Sequence, residues 1–311
     1  MMNRFSLSRR TALCSLGAAA LVPQALQARA QVARPMQATA KLVRYSDSSE
    51  RPVTIEVLLR GKGPLIILLP SLGRGAADFD DLAGRIAAAG YRTAAINPRG
   101  IGGSQGPKAP TFAETAGDVR EVIRALQSGE SVAEPVVLVG HAYGNRLARA
   151  VATWHPDAVS GLILLASGGQ VAIPPAIAKA LRDVFDPALP PEAHIAAVRT
   201  AFFAPGNDPE VWREGWYGAV ALEQQSAFRE LSPQAWTGGG QTSMYIIQAA
   251  QDLLAAPANA EVLRSAYPDR VEVAFLQNAG HAMLPEQPER LAELILSRLA
   301  AMTRPAKPGH S

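Results

Sequence analysis

The chain has 311 residues, with 30 Lys and Arg against 27 Asp and Glu, a single Cys, and hydrophobic residues at 48%. Four of the arginines (Arg4, Arg9, Arg10 and Arg29) fall in the first thirty residues, so the remainder carries 26 basic against 27 acidic groups, net −1. The overall positive charge is thus no sign of a nucleic-acid partner, and Cys14 leaves the chain beyond it with neither a disulfide nor a thiol nucleophile.

Residues 1–30 read as an export signal of the twin-arginine type. Ser8-Arg9-Arg10-Thr11 precedes an apolar run from Ala12 to Val22, and Ala28-Arg29-Ala30 offers a small-residue cleavage site before Gln31. The run falls short of the roughly 20 residues that span a bilayer, so no membrane attachment is expected once the signal is removed. A periplasmic or secreted location follows as an expectation. The remaining 281 residues suffice for one large domain burying about three quarters of its unfolded surface.

Leu42 to Tyr45 and Thr54 to Leu59 have strand patterning, the second alternating apolar Ile55, Val57 and Leu59 with polar neighbours. Leu65 to Leu69 is a continuous apolar run, as in a parallel strand covered on both faces. A helix is expected over 77–89, closed by Gly90, and a strand over 91–96. Asn97-Pro98-Arg99-Gly100-Ile101-Gly102-Gly103-Ser104 is glycine-rich but no dinucleotide fingerprint: Gln105 stands where the third Gly belongs, and Pro107 and Pro110 follow where a helix should begin. Thr111-x-x-Glu114 reads as a capping box opening the next helix.

Val136 to Val139 is a buried strand followed by Gly140-His141-Ala142-Tyr143-Gly144 and helical spacing from Arg146 to Trp154. Leu162 to Ala166 is the sixth strand. Between Gly168 and Gly240 the strand–helix alternation stops, and Ala-, Leu- and Trp-rich helical pieces are expected at 176–185, 191–203, 209–219 and 221–231. Strands resume at 243–248 and 271–276, with helices at 259–266 and 288–302. The expected organisation is a core at 31–167, a helical cap at 168–240, the core again at 241–303 and a disordered tail at 304–311. The fold class is α/β: an eight-stranded, mostly parallel sheet with helices on both faces and the cap inserted after the sixth strand.

A strand, a G-x-x-x-G turn and a helix form the layout of a nucleophile elbow. With Asp252 after the first strand beyond the cap, His281 after the last strand, and Asn97-x-Arg99-Gly100-x-Gly102-x-Ser104, the chain resembles the α/β-hydrolase superfamily. The resemblance implies a catalytic set of Ala142, Asp252 and His281, with the Leu72 and Tyr143 N–H groups as oxyanion donors. Its usual nucleophile is Ser, and here Ala142 presents a methyl group. Loss of the nucleophile costs a protease about six orders of magnitude.

Four explanations stay open. His281, oriented by Asp252, acts as a base on water or substrate, as in the superfamily's cofactor-free dioxygenases and cyanohydrin lyases; such a base contributes about 10²–10⁴-fold. Alternatively, Ser71 or Ser167 supplies the nucleophile, although both suit ordinary turn roles. A third reading is a silent pocket retained for binding or sensing, and the fourth, an engineered Ser→Ala variant, sits poorly with an untrimmed export signal. Arg74 is a candidate carboxylate ligand, and His141, Trp212 and Trp216 are candidates to line an apolar pocket. His155, His194 and His310 lack the ligand spacing of a metal site. The expected partner is a small, mostly apolar carbonyl compound such as an ester or lactone, with no cofactor, metal or nucleic acid.

Overall fold

The computed structural model describes residues 36–109, 111–129, 134–229 and 231–303. The expected export signal, its cleavage site and the tail at 304–311 lie outside these.

Six strands form the parallel part of one sheet: β3 (Leu65–Leu69), β4 (Arg92–Ile96), β5 (Val136–His141), β6 (Val159–Leu165), β7 (Met244–Ala249) and β8 (Val271–Leu276). The hairpin of β1 (Thr39–Ser46) and β2 (Pro52–Arg60) adds to β4 in antiparallel sense. The strand order is β1-β2-β4-β3-β5-β6-β7-β8, eight strands in all. Every residue of β5 and β7 is buried, whereas only two residues of the edge strand β8 are. Burial on both faces explains why the central strands read as unbroken apolar runs rather than alternating ones.

The side chains nevertheless alternate between two cores. Ile67, Leu69 and Leu138 face α2 (Phe112–Gln127) and α3 (Tyr143–Trp154), while Ile66, Leu68, Val137 and Val139 face α1 (Asp80–Ala88) and the terminal helix over Pro288–Met302. Thr111 caps α2 by accepting the Glu114 N–H at 3.2 Å, but the Glu114 carboxylate accepts from the Ser48 hydroxyl at 2.9 Å, so the expected box is half formed. In the glycine-rich turn after β4, Asn97 Oδ1 accepts from the Ala76 N–H at 2.7 Å and its Nδ2 donates to Glu56 at 2.7 Å. Only an amide offers both functions there.

Between β6 and β7 lie α4 (Pro175–Asp183), α5 (Pro191–Phe202) and α6 (Gly218–Arg229), the first two opening on a proline at the first helical position. The first two, with the turn carrying Trp212, form an apolar cluster that includes Ile195, Val198 and Phe202. Two expectations need correction. Residues 209–219 form only one tight turn, Pro209–Trp212, because Gly215 at φ +87 breaks the helix. The elbow helix begins at Tyr143 rather than Arg146, since Gly144 and Asn145 disguise its first turn. The core closes with α7 (Ala258–Ala266), the short α8 (Met283–Glu286) and α9 (Pro288–Met302).

Candidate active site

Ala142 sits at φ 50 and ψ −106 between the end of β5 and the start of α3. The glycines around it are forced by close approach: a Cβ on Gly144 would lie 2.0 Å from the Leu69 carbonyl oxygen, and one on Gly140 would lie 2.3 Å from that of Gly144. Asn145 clamps the turn from behind, donating its side-chain amide to the Leu165 and Ala166 carbonyls at 3.1 and 3.0 Å. Ala166, just after β6, also has positive φ and borders the same cavity as Ala142.

Asp252 follows β7 and is 1% exposed. Its Oδ1 accepts the Leu254 and Ala255 N–H groups at 2.9 and 2.8 Å, and its Oδ2 faces His281 Nδ1 at 2.9 Å. Because a carboxylate only accepts, Nδ1 carries the proton of this contact, and in the neutral imidazole Nε2 is the nitrogen with the free lone pair. The loop bearing His281 is tied down by Glu286, which accepts the Gly280 N–H at 2.7 Å, and by the Ala282 N–H donating to the Phe202 carbonyl at 2.8 Å. Burial raises the pKa of Glu286, partly countered by the Ala204, Gly280 and Asn207 donors.

His141 lies directly beneath. Its Nε2–H donates to the main-chain carbonyl of His281 at 2.8 Å, the two rings standing 5.2 Å apart. Its environment holds the imidazole neutral, with the pKa pushed down to about 3, first by burial and then by the charges of His281 and Arg74.

Ala142 and His281 border one cavity of about 460 Å³. Ser71, Leu72 and Tyr143 border it from the core, and Leu181, Phe185, Phe202 and Phe228 from the cap. The amide of Tyr143 opens α3, where a helix leaves its first N–H groups without internal partners. The structure thus brings together Ala142, Asp252, His281, Leu72, Tyr143 and Ser71.

The other candidates fall elsewhere. Ser167 is fully buried behind the cavity wall, its N–H donating to Gln248 Oε1 at 3.1 Å. Arg74 is 3% exposed and holds Asp78 through two bonds of 2.8 and 2.6 Å. Its guanidinium also stacks 4.4 Å from the rings of both Trp212 and Trp216. That arrangement uses Arg74 and both tryptophans to weld the cap, not to line the cavity, and His141 likewise supports the wall from below. Arg146 and Gln225, which sequence reasoning missed, do border the cavity. Arg146 could have been found as the residue one helical turn beyond Ala142; Gln225 has no comparable local signal. Among the described residues, no group of three or more His, Cys, Asp or Glu could hold a metal ion.

Known proteins bear on this arrangement at several levels. Epoxide hydrolase B of Mycobacterium tuberculosis (strain ATCC 25618 / H37Rv) is 33% identical over 105 residues, which is 33% of this chain and only 28% of that protein's length. A thermophilic esterase from Thermogutta terrifontis superposes with a TM-score of 0.69 at 20% identity, over 85% of this chain and all of that one. Rv0554 from Mycobacterium tuberculosis gives 0.71 at 20% identity, again over 85% and 100%. At these identities the two structures share the fold alone. The model of the family described as Hydrolase_4: Serine aminopeptidase, S33, matches residues 63–288, and the chain belongs to that family of the α/β-hydrolase superfamily.

Proposed function

We propose that this protein hydrolyses a small, mostly apolar ester or lactone after export, with His281 as general base and no acyl-enzyme. The observation that carries this reading is the His281–Asp252 pair, held at 2.9 Å with the imidazole on the same cavity as Ala142. The methyl group of Ala142 cannot attack a carbonyl, but it leaves space above the elbow for water. His281 Nε2 takes a proton from that water as its oxygen bonds to the carbonyl carbon. The resulting oxyanion is received by the Leu72 and Tyr143 N–H groups. Collapse breaks the bond to the leaving alkoxide, which recovers the proton from Nε2. Asp252 holds the imidazole in the required tautomer and stabilises its transient charge.

The location rests on the Arg9-Arg10 segment with its apolar run and cleavage site. The activity is tested with wild type, His281→Ala and Ala142→Ser against a panel of activated esters and lactones. Turnover by wild type that falls about 10²–10⁴-fold in His281→Ala supports base catalysis. Activity found only in Ala142→Ser makes the wild type a silent binding scaffold. Activity that survives His281→Ala and vanishes in Ser71→Ala moves the chemistry to Ser71, which borders the same cavity.

A further inference from the structure

The cavity beside Ala142 contains a cation that the proposed chemistry does not use. Arg146 projects from the second turn of α3 into the lining, half-buried. Among the described residues it forms no salt bridge and no hydrogen bond; the ring of Phe228 lies 5.0 Å from the guanidinium carbon. No Asp or Glu borders the cavity, and the remaining lining is largely Leu, Ile, Val, Phe and Ala.

The other arginines buried nearby are each occupied. Arg74 is bound by Asp78, Arg99 by Asp118, and Arg149 donates to Asn145 Oδ1 and the Thr237 carbonyl. A desolvated guanidinium lacking both carboxylate and carbonyl partners is costly, and burial indeed depresses the pKa of Arg146. Gly169 packs against one side of it, where a Cβ would come within 3.1 Å of Nη2 and crowd the guanidinium.

We infer that Arg146 receives an anionic group of the ligand, most simply a carboxylate, so that the preferred compound is apolar along its length and carries one acid end. This deepens the hydrolytic reading and rests on it for the position of the reacting carbonyl. Arg146 lies four positions beyond Ala142, a rise of about 6 Å along the helix. That places the acid a few bonds from the carbonyl at the elbow. The planar fork of the guanidinium then pairs with the carboxylate through two parallel N–H bonds.

Binding can be measured without turnover by using ketones, which have no leaving group. The probes are 5-oxohexanoate and its neutral amide, 5-oxohexanamide, titrated calorimetrically into the full chain. Wild type is expected to bind the acid roughly 10- to 100-fold more tightly than the amide. Arg146→Met should abolish that preference with little change in amide affinity, and Arg146→Lys should retain part of it. Circular dichroism melting of both variants confirms that they are folded. Equal affinities in wild type, no saturable binding of the acid, or a preference that persists in Arg146→Met overturns the assignment. If the preference is found while the ester panel shows no turnover, the anion site stands and the catalytic reading falls.

Discussion

His141 shows how much one buried side chain adds to the site without touching the ligand. Its Nε2–H holds the main-chain carbonyl of His281, a residue 140 positions away, and so anchors the loop that bears His281. Because the folded imidazole has a pKa of about 3 and an unfolded one about 6.5, the unfolded chain takes up a proton that the fold refuses between those values. Stability from this group is therefore complete above pH 6.5 and is lost as the pH falls toward 3, at up to about 1.4 kcal/mol per unit. Urea unfolding at pH 7 and pH 5, for wild type and His141→Gln, should show wild type losing about 2 kcal/mol more than the variant. Gln keeps a donor for the His281 carbonyl but cannot titrate. Equal losses would show that His141 is protonated in the fold.

At the scale of elements, the elbow is held by contact between backbones more than by side chains. The Gly144 position in α3 lies against Leu69 and Pro70 at the end of β3, where the atoms a Cβ would meet are all main chain. Gly144→Ala is expected to lower stability by at least about 3 kcal/mol in urea unfolding, because neither strand nor helix can retreat without disturbing the sheet. Gly84, inside α1, has open space within 4 Å of where a Cβ would sit. Gly84→Ala should instead stabilise by about 0.5–1 kcal/mol through helix propensity and a more restricted unfolded chain. Losses of similar size at both positions would contradict the close approach described for the elbow.

Across the whole molecule, the cap and the histidine loop are joined through Glu286. Its carboxylate accepts the Ala204 N–H and the Asn207 side-chain amide, both at 2.7 Å, together with the Gly280 N–H at 2.7 Å. A second set of ties links the cap to the β3 loop: the Tyr217 N–H donates to the Gly73 carbonyl, and the Gly73 N–H to Gln224 Oε1. Glu286→Gln replaces one acceptor oxygen with a donor and should cost about 1–3 kcal/mol. Amide hydrogen exchange in that variant is expected to rise together at residues 202–204 and 280–282. A rise confined to the 280–282 loop would show that cap and core open independently.

The strand and helix order was legible along the chain because apolar runs, glycine breaks and proline starts are local, as at Leu65–Leu69, Gly140 and Pro288. Motif order likewise marked Ala142, Asp252 and His281, of which the fold sets the first and last on one cavity and Asp252 behind. Burial and partnership are set by residues distant in sequence, and only the folded chain decided those. Arg74 and Arg146 both follow candidate site residues by a few positions, yet Trp212, Trp216 and Asp78 enclose the first, while the second meets the Phe228 ring and, among the described residues, no carboxylate. The charge available to a ligand is thus chosen by tertiary packing, since a guanidinium's reach is filled by whichever neighbours the fold delivers.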